Sequence, residues 1–176
     1  MSKFPHKTPN ELRRYFSQLS LEQLLEINRS YGPHFESLDA QDEGYKKNIK
    51  ELNPRLAYFT EKYEAHLQTY EDVEIREATY QSNRNAMLSE TDQTDRLLGF
   101  KTLGISPMEI YEYEARCLRG EISKTSDEIK RLNACIATVE QKTRGAVSEL
   151  RILNSVIDLK RELTPEVASN QLGMSY

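Results

Sequence analysis

The chain reads as an all-α protein: an elongated antiparallel helical hairpin of coiled-coil type, with two short N-terminal helices packed at its open end. Three observations carry that expectation. One apolar heptad runs from Phe35, a second runs from Met108, and a stretch bracketed by Gly99 and Gly104 separates them. Composition agrees. The 176 residues are 30% charged and 38% hydrophobic, and mean hydropathy is −0.72. A compact sphere of this size wants more apolar side chains. A long thin fold needs fewer, because each helix buries only one stripe.

The elements follow in order. Thr8-Pro9-Asn10-Glu11 is a helix start, with Thr8 as N-cap, Pro9 at the first helical position and Glu11 closing a capping box. Leu12, Tyr15, Phe16 and Leu19 then form one stripe. Ser20 caps a second short helix carrying Leu21, Leu24, Leu25 and Ile27, which Tyr31-Gly32-Pro33 should end. Residues 1–32 thus form one segment. The hairpin is expected over 33–163 with its turn near 95–106, and a short flexible tail over 164–176.

The first seam places Phe35, Asp42, Ile49, Leu56, Tyr63, Tyr70, Glu77 and Arg84 at a. It places Leu38, Tyr45, Leu52, Phe59, His66, Val73, Tyr80 and Met87 at d. Twelve of these sixteen are apolar or aromatic, which prefers a coiled-coil seam over chance. Ser106-Pro107-Met108-Glu109 restarts a helix with the cap chemistry of Thr8. Its seam has thirteen apolar residues of sixteen, from Met108 and Tyr111 through Ile157 and Lys160. That helix would be roughly 80–85 Å long and should stop before Pro165.

Pairing the seams around a turn at Lys101 sets Ile49 against Leu153, Leu56 against Ala146, Tyr63 against Val139 and Tyr70 against Leu132. It also sets Asp42 against Lys160, an opposite-charge pair, and Glu77 against Thr125. Large aromatic residues then face smaller aliphatic ones, which fills space better than pairing like with like. Pro54 falls at an outward position, and this register brings Gly145 to a similar level. The pair is a candidate hinge.

Catalytic chemistry finds no residues to carry it. His6, His34 and His66 sit in no metal-binding spacing, and Cys117 and Cys135 lie too far apart on one helix to bridge, about 27 Å. No phosphate-binding glycine loop occurs. The expectation is a non-enzymatic protein with no cofactor and no metal. Two free thiols point to the cytoplasm or another reducing compartment. No apolar run of about 18 residues predicts a transmembrane segment, and the N-terminus lacks the apolar stretch of a Sec signal peptide. Export without a cleaved signal stays open.

Net charge is −4, concentrated in residues 51–105, where ten acidic side chains oppose six basic ones. No basic face offers itself to nucleic acid. The expected partner is another protein, with the chain an adaptor, an assembly subunit or a host-interacting factor. Two surfaces are candidates. Leu12, Tyr15, Phe16, Leu19 and Leu24 form an amphipathic hook that either docks on a partner or folds back on the hairpin. The acidic flank Glu71, Asp72, Glu74 and Glu77 suits the alternative function, a chaperone or inhibitor facing a basic target. Monomer and homodimer are both open.

Overall fold

The computed structural model describes residues 3, 4 and 6–171, with side chains through Leu163. Its elements are α1 (Pro9–Gln18), α2 (Leu21–Arg29), α3 (Tyr31–Gln68), α4 (Tyr70–Leu88), α5 (Gln93–Leu103) and α6 (Pro107–Gln171). No strand occurs among the described residues. The chain forms two compact units. One joins residues up to Asn48 with those from Leu132 onward; the other is Ile49–Arg131.

Local chemistry sets the helix starts. The Thr8 side chain accepts from the Glu11 amide (3.3 Å), and the Glu11 carboxylate accepts from the Thr8 amide (2.7 Å). Ser20 and Gln23 repeat this reciprocal cap at α2. Gly32 and Pro33 do not end α2. The break is Ser30 alone, and both residues lie in the first turn of α3, where an amide has no intrahelical acceptor and proline costs little. Pro54 is likewise carried inside α3, and α6 runs through Pro165 to Gln171. A proline removes one amide donor and crowds one carbonyl, and a long helix held elsewhere continues past that local loss. Of the expected tail, 164–171 is therefore helix, and 172–176 lies outside the described residues.

In the first unit, Leu12, Phe16, Leu24 and Tyr31 form a core with Ala146, Leu153, Val156 and Ile157. Phe16, Leu24 and Leu153 are 0% exposed. Each such side chain contributes about 1.5–3 kcal/mol relative to exposure. The short helices are tied down by polar bonds as well. Lys160 Nζ donates to the Leu19 carbonyl (2.5 Å), and the side-chain amides of Asn28 and Asn154 are bonded. Tyr31 donates its hydroxyl to Glu149 Oε2 (3.0 Å), and burial together with that carboxylate pushes the phenol well above its ordinary range.

The second unit packs the remainder of α3, with α4 and α5, beside the beginning of α6. Arg55 pairs with Glu121 (2.8 Å), the His66 ring stacks on Tyr111, and Tyr80 donates to the Gly104 carbonyl (3.2 Å). Residue numbers rise along α3 and α4 as they fall along α6, so the contacts run antiparallel.

The pairing differs from the expected one by a fixed amount. Tyr70 meets Tyr111 rather than Leu132, at a ring distance of 5.7 Å. In the first unit, Asp42 shares a groove with Val139 and takes Lys46 as its ion partner (2.5 Å), not Lys160. Both changes are slides of three whole heptads. Such a slide keeps a residues against d residues, so apolar matching alone does not choose between registers. The chain break chooses. The expected turn over 95–106 is mostly helix α5; the irregular segments are 89–92 and 104–106. Asp92 starts α5 by accepting from the Thr94 and Asp95 amides (2.7 and 3.1 Å). Gly99 lies inside α5, where an added Cβ would meet Met87 Cγ at 3.0 Å. Among the described residues, Gly104 is the one glycine at positive φ, +74°, and it makes the turn.

Candidate functional site

The start of α6 is where the second unit exposes most chemistry. Gly104 releases the chain from α5. Ser106 then caps α6, its hydroxyl accepting from the Glu109 amide (3.3 Å), and Pro107 takes the first helical position. The Met108 amide donates to Glu77 Oε2 (3.1 Å), as does the Ser106 hydroxyl (2.6 Å), while Gln81 donates to Glu77 Oε1 (2.6 Å). These bonds, that of Ser106 foremost, hold the Glu77 carboxyl below its ordinary 4.5. Glu77 thus closes the positive end of α6 from the neighbouring helix.

One turn further along α6, His66 donates Nε2–H to the Tyr111 carbonyl (3.0 Å), since a carbonyl only accepts. Its ring lies on the Tyr111 ring with centroids 4.1 Å apart and planes 16° apart. Glu114 Oε2 stands 3.6 Å from Nδ1. His66, Arg76 and Ile110 border a groove of about 360 Å³ here.

A second groove, about 550 Å³, adjoins the first across Ile110 and Glu114 and is lined further by Ile105, Tyr113, Glu109, Glu112 and Arg116. Ile105 is 67% and Tyr113 63% exposed. Glu109, Glu112, Tyr113 and Arg116 follow i, i+3, i+4, i+7 spacing, so they share one face. Cys117 beside Tyr113 raises the phenol above its ordinary range. Apolar side chains rimmed by carboxylates suit an apolar segment that carries cations.

The residues singled out from sequence fall differently. Leu12, Phe16 and Leu24 are buried in the first core, and Tyr15 and Leu19 pack against it, so the hook is folded back in its own chain and presents no free apolar face. Glu71, Asp72 and Glu74 are exposed on α4, but Glu77 is taken up by the cap of α6. Pro54 belongs to the second unit and Gly145 to the first. Arg55, next to Pro54, pairs with Glu121, and Ala146, next to Gly145, packs with Tyr31. The premise that Pro54 and Gly145 share a level fails with the register.

The groove residues were legible in part. Ile110 and Tyr113 sit at outward c and f positions of the second heptad, where an apolar side chain has no seam to join. Glu77 as a cap left no such mark, because it reaches Met108 from another helix. Among the described residues, no group of His, Cys, Asp and Glu is arranged to hold a metal ion, and no helix is long and apolar enough to cross a membrane. No family model, curated protein or solved structure matches the chain.

Proposed function

We propose that this chain is a non-enzymatic helical interaction module, an adaptor whose α3 and α4 run beside α6 as an antiparallel coiled-coil hairpin. Its docking surface is the groove at the start of α6, and its occupant is a basic amphipathic segment of another protein. The observation that carries the reading is the exposure of Ile105, Ile110 and Tyr113 beside Glu109 and Glu112, with Arg116 the one cation among the described residues that line the groove. The apolar residues of the N-terminal helices are covered within their own chain, Phe4 among the residues packed on them, so they are not the surface exposed to this segment. Both thiols are free, which fits work in a reducing compartment.

The chain contains no Trp, so a basic amphipathic peptide with a single Trp reports its own binding. Its emission should shift to the blue on titration with the chain. Ile105→Ser with Tyr113→Ser should abolish the shift. Glu109→Gln with Glu112→Gln should weaken it and flatten its salt dependence. A shift that survives both double variants sinks the site.

A further inference from the structure

We infer that the first unit contains a recognition site for an extended basic–aromatic dipeptide, a site that this chain fills with its own Lys3-Phe4. This site shares no residue with the groove at the start of α6.

The central group is Glu149, a carboxylate only 5% exposed. It occupies a g position of the second heptad, where solvent is the usual environment. Its two oxygens accept from consecutive backbone amides, Lys3 N to Oε2 (3.0 Å) and Phe4 N to Oε1 (3.2 Å). Tyr31 supplies a third donor to Oε2 (3.0 Å). Two successive amides on one carboxylate read the backbone of a segment whatever its side chains.

The side chains are then read separately. Lys3 Nζ donates to the Ser30 carbonyl (2.9 Å), bonds the Ser30 hydroxyl, and lies 5.1 Å from the Tyr31 ring centroid. That carbonyl belongs to the C-cap of α2, the negative end of a helix, which favours a cation. The Phe4 ring meets Phe16 edge-on (centroids 5.5 Å, 83°) and Tyr15 at a tilt (5.6 Å). One residue position therefore requires a cation, the next requires an aromatic ring, and both must offer free amides.

The occupant is tethered. Lys7 N donates to the Phe4 carbonyl (3.1 Å), closing a turn just before the Thr8 cap. A tether this short gives an effective concentration on the order of millimolar. Wild-type chain is thus self-occupied, and a partner segment of Lys-Phe or Arg-Phe type enters only when the strap leaves. When it leaves, Glu149 loses both backbone donors and keeps its bond to the Tyr31 hydroxyl. The site thus favours being refilled over standing empty.

The test uses a fluorescein-labelled, N-acetylated peptide of residues 2–7 and the full-length chain. The host is Lys3→Ala with Phe4→Ala, which vacates both side-chain positions without shortening the chain. Polarisation should show the peptide binding this host at least about a hundredfold more tightly than wild type. Changing Phe to Ala in the peptide should abolish binding, a control that leaves the protein untouched. Adding Glu149→Gln to the host should also abolish it, with helicity at 222 nm showing that this host still folds. Equal binding to wild type and to the vacated host would overturn the inference. So would no binding to a vacated host of wild-type helicity. A doubled mass of the wild-type chain, lost on Phe4→Ala, would mean that a second copy's strap fills the site, and would overturn self-occupancy.

Discussion

Replacing Phe16 by alanine separates the two roles open to the N-terminal helices. Phe16 is 0% exposed and packs with Leu12, Leu24, Leu153 and Ile157. Truncation loses the transfer free energy of the ring, about 1.5–3 kcal/mol. It also leaves a cavity that the surrounding long helices close only in part. Together these give about 3–5 kcal/mol. For a chain of this length, each kcal/mol moves Tm by roughly 2–4 °C, so Tm should fall by roughly 6–20 °C. Thermal melts at 222 nm and urea titration measure the two quantities independently. Leu97→Ala on α5 is the control. Leu97 is 64% exposed, and its loss should change stability by less than about 0.5 kcal/mol. Were Phe16 instead a surface hook awaiting a partner, its truncation would cost under about 1 kcal/mol and leave Tm nearly unchanged. That result would refute the assignment of Phe16 to a core within its own chain.

Three further outcomes follow from the same contacts. A photoreactive phenylalanine at position 70 should crosslink to the peptide containing Tyr111; a crosslink to the peptide around Leu132 would restore the register read from the seams alone. Glu77 has its carboxyl pKa depressed in the fold, so its stabilisation of α6 is present above about pH 4.5 and is lost as pH falls through the lower folded value. The protection factor of the Met108 amide, its exchange rate relative to the intrinsic rate at each pH, should therefore fall on acidification in wild type, and in a Glu77→Gln variant it should start low and stay flat. Gly120 lies in α6 with nothing within 4 Å of an added Cβ, so Gly120→Ala should stabilise by about 0.5–1 kcal/mol in urea titration, whereas Gly99→Ala, pressed on Met87, should not.

Much of the site's surroundings could be read locally and little of the site itself. The Ser106 cap and Pro107 are neighbours in sequence, as are Thr8 and Glu11, so their bonds follow from spacing. Ile110 and Tyr113 carry a weaker mark, being apolar at outward heptad positions. Glu77 and Glu149 carry none. Each is an acidic residue on an ordinary helix until another segment places backbone amides within reach: Met108 for the first, Lys3 and Phe4 for the second. Asp92 shows the opposite case. It caps α5 through amides two and three residues on, a short-range signal overshadowed by the two glycines downstream.

The amino-acid sequence by itself determined the helical class and the caps of α1, α2 and α6. These depend on residues within a turn or two of one another, and hydrogen bonding within a helix is local. The tertiary structure alone decided that Tyr70 stands beside Tyr111 and Asp42 beside Val139. It also decided that the N-terminal stripe is covered, and that Glu77 and Glu149 serve as acceptors. The reason is periodicity. A seven-residue repeat matches itself again after any whole number of heptads, so many registers bury nearly the same apolar surface. The choice among them falls to a capped helix at Gln93, a glycine pressed on Met87 and a true turn at Gly104.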